Sequence, residues 1–176
     1  MQSYLQTQAG EGADIFQFVV DEIYRPVQVG PGAYTTLRTR DNNWQGQPYG
    51  GYGLWWIPDD IVKITTLLQN AGRASTGEQI LHPDYLAAAL QANPDDRGVS
   101  IDPYRKYNNG FWAETHGASE GFECSFWVPH MLGISGNVVL LLPNGTTYYY
   151  FSDHQEFTWQ DVLRQSNKIK TFCPSI

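Results

Sequence analysis

The chain has no apolar run near the about 20 residues that a membrane-spanning helix needs. It also has no basic run: 11 Lys and Arg stand against 18 Asp and Glu, for a formal charge of −7. A chain this acidic is poorly suited to nucleic acid or to an anionic lipid surface. The first residues, MQSYLQTQAGEG, have neither the basic start nor the apolar stretch of a signal peptide. Charged residues make up only 16% of the sequence, the reverse of a disordered composition. No CxxC and no HExxH occurs, so there is no local zinc signature, and no metal or cofactor is expected. No internal repeat is present. The two cysteines, Cys124 and Cys173, can pair in an exported protein or stand as free thiols.

What is present is a folded composition of 176 residues, 41% hydrophobic and 14% aromatic, long enough to bury a core. Asp14 to Arg25 reads as a helix with Ile15, Phe18, Val19 and Ile23 near one face, Asp14 at its start and Pro26 as its stop. Residues 27–52 are rich in Gly, Pro and Asn and form a long loop, which the aromatics Tyr34, Trp44, Tyr49 and Tyr52 should pack. PDDIVKITTLLQN is a second helix, with Pro58 in its first turn and an apolar stripe of Ile61, Ile64, Leu67 and Leu68. A short helix is expected over 83–91. From about residue 104 the text turns to aromatic and β-branched runs, YNNGFWAET, FECSFWVPH, NVVLLLP and TTYYYFSD, which read as three or four antiparallel strands. Pro143-Asn144-Gly145 marks a hairpin, and this turn role is enough to explain the Asn144-Gly145-Thr146 sequon. Thr158 to Lys170 reads as a closing helix, Thr158 and Asp161 resembling a capping box.

Few residues suggest chemistry. Gly133-Ile134-Ser135-Gly136-Asn137 approaches GxSxG, but a nucleophile elbow runs into a helix, and a strand follows here. No serine has a lysine three residues on, so the Ser-x-x-Lys arrangement, in which lysine serves as the base, is absent. The pairs Asp59/Asp60 and Asp95/Asp96 sit where solvated capping and turn roles are expected. Trp55, Trp56 and the run Tyr148 to Phe151 suit core and strand packing better than a pocket. The four histidines, His82, His116, His130 and His154, show no helical pairing. His130 is the most notable, because it precedes the glycine-bearing HMLGISGN. A histidine there can donate to an oxyanion or bind a carboxylate, and the competing reading is a structural histidine.

The ordered segments DIFQFVVDEIYRPVQVGPGAY, GQPYGGYGLWWIPDDIVKITTLL, QILHPDYL, YNNGFWAE and HMLGISGNVVLLLPNGTTYYYFSD resemble the downstream half of the serine β-lactamase-related superfamily, which includes class C β-lactamases, DD-peptidases and esterases. The resemblance spans roughly Asp14 to Leu163. It implies an α+β fold, an antiparallel sheet with packed helices, forming the C-terminal part of a β-lactamase/transpeptidase-like fold. The whole of 1–176 would be one such region, helical and looped to about 103 and stranded with a closing helix from about 104. It implies an acyl-transfer site in which His130 stands in for the basic residue of the third motif, with Gly133, Ser135 and Gly136 in the oxyanion wall. The family's Ser-x-x-Lys is unmatched, its tyrosine motif would fall before Met1, and no Lys-Thr-Gly is present. The expectation is therefore a hydrolase portion without its nucleophile. It would be completed by an N-terminal half or by self-association, and the complete enzyme would take a small acyl or peptide substrate. The alternatives are a non-catalytic binding module derived from the fold and an unrelated α+β structural protein.

Overall fold

The computed structural model describes residues 2–10, 12–39, 46–49, 54–133, 136–152 and 160–173. The chain divides into two compact units, 1–81 and 82–176. The short helix near Pro83 thus belongs with the strands that follow it.

The first unit contains helix α1 (Gln2–Ala9), α2 (Ile15–Val19) and α3 (Pro58–Gln69), with a 3-10 turn at Pro31–Ala33. Asp14 caps α2 by accepting from the Gln17 backbone N–H at 2.9 Å, and its other carboxylate oxygen accepts from Arg38. Beyond α2 the helix widens into a π turn, Val20–Tyr24, in which the Arg25 N–H reaches back five residues to the Val20 carbonyl at 2.9 Å. The extra residue per turn rotates the buried face. Val20 and Tyr24 become the core positions, Ile23 and Val19 pack against them, and Phe18, expected on the apolar face, is half exposed.

Helix α3 begins with Pro58 at its first position and buries Leu67 and Leu68, as the apolar stripe predicts. Asp60 differs from expectation. It is a buried carboxylate rather than a solvated cap, accepting from the Gly30 N–H at 2.8 Å and from Lys63 Nζ at 3.1 Å. A β-carbon on Gly30 would meet an Asp60 oxygen at 3.1 Å, so the glycine permits the close approach. Gly72 follows the helix at φ +81°, and a β-carbon there would lie 2.5 Å from the Leu81 carbonyl oxygen. The apolar core of this unit gathers Val20, Tyr24, Val27, Val29, Ala33, Leu67 and Ala74, with Trp56 and Tyr34 packed on it. Trp55 points outward and is exposed. The loop forms isolated bridges at Thr36–Leu54 and Arg38–Pro48, and its aromatics Trp44 and Tyr52 lie outside the described residues.

The second unit opens with α4 (Pro83–Ala89) and continues as a six-stranded antiparallel sheet in sequential order: β1 (Val99–Ser100), β2 (Arg105–Asn108), β3 (Phe111–His116), β4 (Phe126–Leu132), β5 (Val138–Leu141) and β6 (Thr147–Tyr150). The α+β class and antiparallel sheet thus agree with the sequence reading. Two strands are additional. YNNGFWAET is not one strand but a hairpin, with Asn109 (φ +46°) and Gly110 (φ +94°) forming its two-residue turn. The two-residue β1 lies in the segment read as a connector. The hairpin at Asn144-Gly145 forms as expected. Asn144 is buried there, its amide donating to the Lys170 carbonyl at 2.7 Å while its Oδ1 accepts from the Thr146 hydroxyl at 2.6 Å. That places the sequon asparagine in the turn's own hydrogen bonding.

Every residue of β5 is buried, so this strand is covered on both faces. On one face Val138 and Leu140 join Val128, Phe122, Leu142 and Phe172, and Leu163 of helix α5 (Gln160–Ile169) packs among them. Burying such side chains contributes about 1.5–3 kcal/mol each. Asp161 lies in the first turn of α5 and pairs with Arg164; Thr158 lies outside the described residues. Cys124, before β4, forms a disulfide with Cys173, beyond α5. This settles the two open alternatives for the cysteines and fastens the end of the chain to the sheet. The bond closes a loop across a sequence separation of 49. Reducing it is expected to lower stability by about 4 kcal/mol on the loop-closure relation. Urea denaturation with and without reductant measures this, and unchanged midpoints would contradict it.

Candidate functional site

Strand alternation decides which polar side chains meet. Pairing of Arg105 with Glu114, Glu114 with Val128 and His116 with Phe126 puts Arg105, Glu114 and His116 on the sheet face that carries Val128 and Phe126. After His116, Gly117 leads into a 3-10 turn, Ala118–Glu120, which folds Glu120 back toward the strand. These residues, with Asp102, Tyr104, Thr115 and Ser119, line an open cleft of about 420 Å³.

The groups in the cleft are unequally satisfied. Asp102 accepts from Arg105 Nε at 2.7 Å and from the backbone N–H groups of Tyr104 and Arg105 at 2.9 and 2.8 Å. The Arg105 hydrogen bond holds the Asp102 carboxyl below its ordinary pKa, and Asp102 in turn raises that of Arg105. Glu120 spans His116 Nδ1 at 2.9 and 3.1 Å and accepts from the Gly117 N–H at 3.3 Å. The His116 ring is 5% exposed and stacks on Phe126. Glu114 is the exception: its side chain is 16% exposed and its one polar contact among the described residues is Arg105 Nε at 3.7 Å, beyond hydrogen-bond range. Burial pushes the Glu114 carboxyl up, and the Arg105 charge offsets this only in part. No group of three His, Cys, Asp or Glu side chains among the described residues could hold a metal ion.

No family model and no curated protein matches this chain.

The residues singled out from sequence lie elsewhere, on β4 and the turn after it. His130 projects from β4 on the same sheet face as Val128 and is 1% exposed, its Nδ1 3.1 Å from the Val128 carbonyl. Burial lowers its pKa to about 4, so the ring is neutral near pH 7. Gly133 is exposed, its N–H donating to the Asn137 carbonyl at 2.7 Å, and Gly136 is buried with φ +85°. Ser135 lies outside the described residues. Gly133 and Gly136 thus lie between β4 and β5, whereas the ring of His130 is enclosed in the sheet. The cleft residues Glu114, His116 and Glu120 were not singled out from sequence. Their signal is the alternation Glu-x-His running into a glycine, which puts an acid and an imidazole on one strand face.

Two stability measurements follow from these environments. Glu114 has a raised folded pKa, so its protonated form favours the fold, and ionisation above the ordinary carboxylate range costs stability. Glu114→Gln is expected to raise the melting temperature at pH 7 and to leave it nearly unchanged at pH 3; a lower melting temperature at pH 7 would contradict this. His130 has the opposite linkage. The unfolded state takes up its proton near pH 6.5 and the folded state only near 4, so stability falls as pH drops through that window. The loss between pH 7.5 and pH 5 is roughly 2 kcal/mol for this group. His130→Gln should reduce the fall in urea midpoint over that range, and an undiminished fall would contradict the assignment.

Proposed function

We propose that this chain is the C-terminal portion of a β-lactamase-like serine hydrolase, supplying one wall of an acyl-transfer cleft and no nucleophile. The observation that carries the reading is the sequential order of the antiparallel strands. The segments YNNGFWAE and HMLGISGNVVLLLPNGTTYYYFSD fall along β2–β3 and β4–β6, and a closing helix packs Leu163 on the sheet behind them. A sheet with its last helix on one face is the arrangement that the resemblance implies.

Within this reading, His130 acts through packing, because an enclosed neutral ring is a poor donor to a substrate in the cleft. The wall is then the two described glycines between β4 and β5, Gly133 and Gly136, the latter at φ +85°. The serine and its lysine belong to the part of the fold that this sequence does not match. The Cys124–Cys173 disulfide supports function in an oxidising compartment. A second reading, a non-catalytic binding module, is favoured by the polar cleft on β2 and β3, which lies outside the segment carrying the proposed wall.

The test is covalent labelling. Incubated alone with a serine-acylating probe, the chain should keep its intact mass. Joined to a segment carrying Ser-x-x-Lys and the tyrosine motif, it should gain one acyl adduct on that segment's serine. An acylated serine in the chain alone, or no adduct in the joined protein, would overturn the proposal.

A further inference from the structure

We propose that the cleft between β2, β3 and the Ala118–Glu120 turn hydrolyses a small carboxylic ester, with His116 activating water as a general base. The inference does not rest on the β-lactamase-like reading, because it needs neither a serine nucleophile nor the segment between β4 and β5.

The imidazole is held as a base must be held, with one nitrogen fixed and the other open. The Glu120 carboxylate accepts from Nδ1 at 2.9 and 3.1 Å and is itself anchored by the Gly117 N–H at 3.3 Å. An ionised carboxylate only accepts, so Nδ1 carries its proton in either charge state of the ring, and the lone pair of the neutral ring lies at Nε2. Phe126 stacks on the ring and fixes its plane. The ring is 5% exposed, yet Nε2 has no hydrogen-bond partner among the described residues. Nor is Nε2 sealed: the buried side-chain atoms without a partner are Gln47 Oε1, Gln91 Oε1, Arg97 Nη1 and Trp127 Nε1. Because His116 lines the cleft, its open nitrogen meets the water there. Protonation of Nε2 silences this base without displacing it.

Arg105 lines the same cleft and supplies the complementary charge. Asp102 engages its Nε at 2.7 Å, and its two Nη groups have no hydrogen-bond partner among the described residues. Free guanidinium N–H groups stabilise the oxyanion of a tetrahedral intermediate. In the proposed step Nε2 takes a proton from water as the water oxygen bonds the carbonyl carbon, and the carbonyl electron pair moves onto the oxygen that Arg105 receives. When that pair returns, the bond to the alcohol oxygen breaks and Nε2 gives its proton to the leaving alcohol. The products are a carboxylic acid and an alcohol, and the chain keeps its intact mass. An ester suits a single base better than an amide, because an alcohol leaves more readily than an amine. A volume of about 420 Å³ is within the range of small-molecule sites.

The experiment assays the full oxidised chain with p-nitrophenyl acetate against an equal concentration of free imidazole. Saturable hydrolysis is expected at about tenfold or more above imidazole, with a rate that rises with pH to a plateau. His116→Gln should lose about tenfold or more in kcat, and His82→Gln, outside the cleft, should lose nothing. Glu120 is a positioning residue, so Glu120→Gln should lower kcat with little change in KM. Free imidazole should restore His116→Ala saturably and leave the wild type unchanged. Where a His116 variant lacks the dispersed amide spectrum of a folded protein, carbethoxylation of the wild-type ring replaces it: blocking Nε2 should abolish turnover and hydroxylamine should restore it. Hydrolysis that never saturates or does not exceed that of imidazole, unchanged turnover in His116→Gln, or full turnover with the ring carbethoxylated would each overturn the proposal.

Discussion

The burial of β5 on both faces is the constraint on which the second unit depends. Val138 to Leu141 form an apolar strand with no solvent side, so β4 and β6 must flank it and both faces must be covered. Leu163 of α5 and Phe172 meet the face that carries Val138 and Leu140. The disulfide then joins the residue after Phe172 to Cys124, two residues before β4, so the chain that covers the strand cannot drift from it. Asn144 works at the same C-terminal end of that helix, where its amide and its carbonyl oxygen bind the Lys170 backbone carbonyl and ammonium at 2.7 and 2.6 Å. Two separate links therefore hold the end of α5, one from the segment before β4 and one from the turn between β5 and β6.

The sheet's sequential order has a consequence for chemistry. Each strand pairs with its neighbours in sequence, so register passes from one turn to the next. The two-residue turn at Asn109-Gly110 pairs Asn108 with Phe111, and this fixes Arg105 opposite Glu114. The same ladder sets His116 opposite Phe126 and His130 opposite Trp112. Two histidines on one sheet face thereby acquire different surroundings. His116 sits at a strand end where a glycine turn returns a carboxylate to it; His130 sits mid-strand, covered, and is neutral near pH 7. The position along the strand, not the residue type, separates a cleft imidazole from a packing one.

Local features were legible in the sequence wherever a short-range signal decides them. Pro58 opens α3, Asp14 caps α2, and Pro143-Asn144-Gly145 turns between β5 and β6. The apolar stripe of α3 was read correctly at Leu67 and Leu68 because that helix is regular. It failed at Phe18 because the following turn is wider than 3.6 residues, and periodicity does not announce a π turn. Asp60 read as solvated because its partner, Gly30, is 30 residues away. The cleft was hidden for a related reason. YNNGFWAET has the composition of a single strand, and only reading Asn109-Gly110 as a turn brings Arg105 to Glu114. The return of Glu120 depends on the turn after Gly117.

The dependence of the sheet on β5 is most directly tested by amide hydrogen exchange on the oxidised protein. The account predicts that the amides of Val128, Val139 and Leu140 exchange slowest in the second unit and that those of β1, with both residues exposed, exchange fastest among its strands. Exchange of the β5 amides as fast as those of Val99 and Ser100 would contradict the claim that this strand organises the sheet.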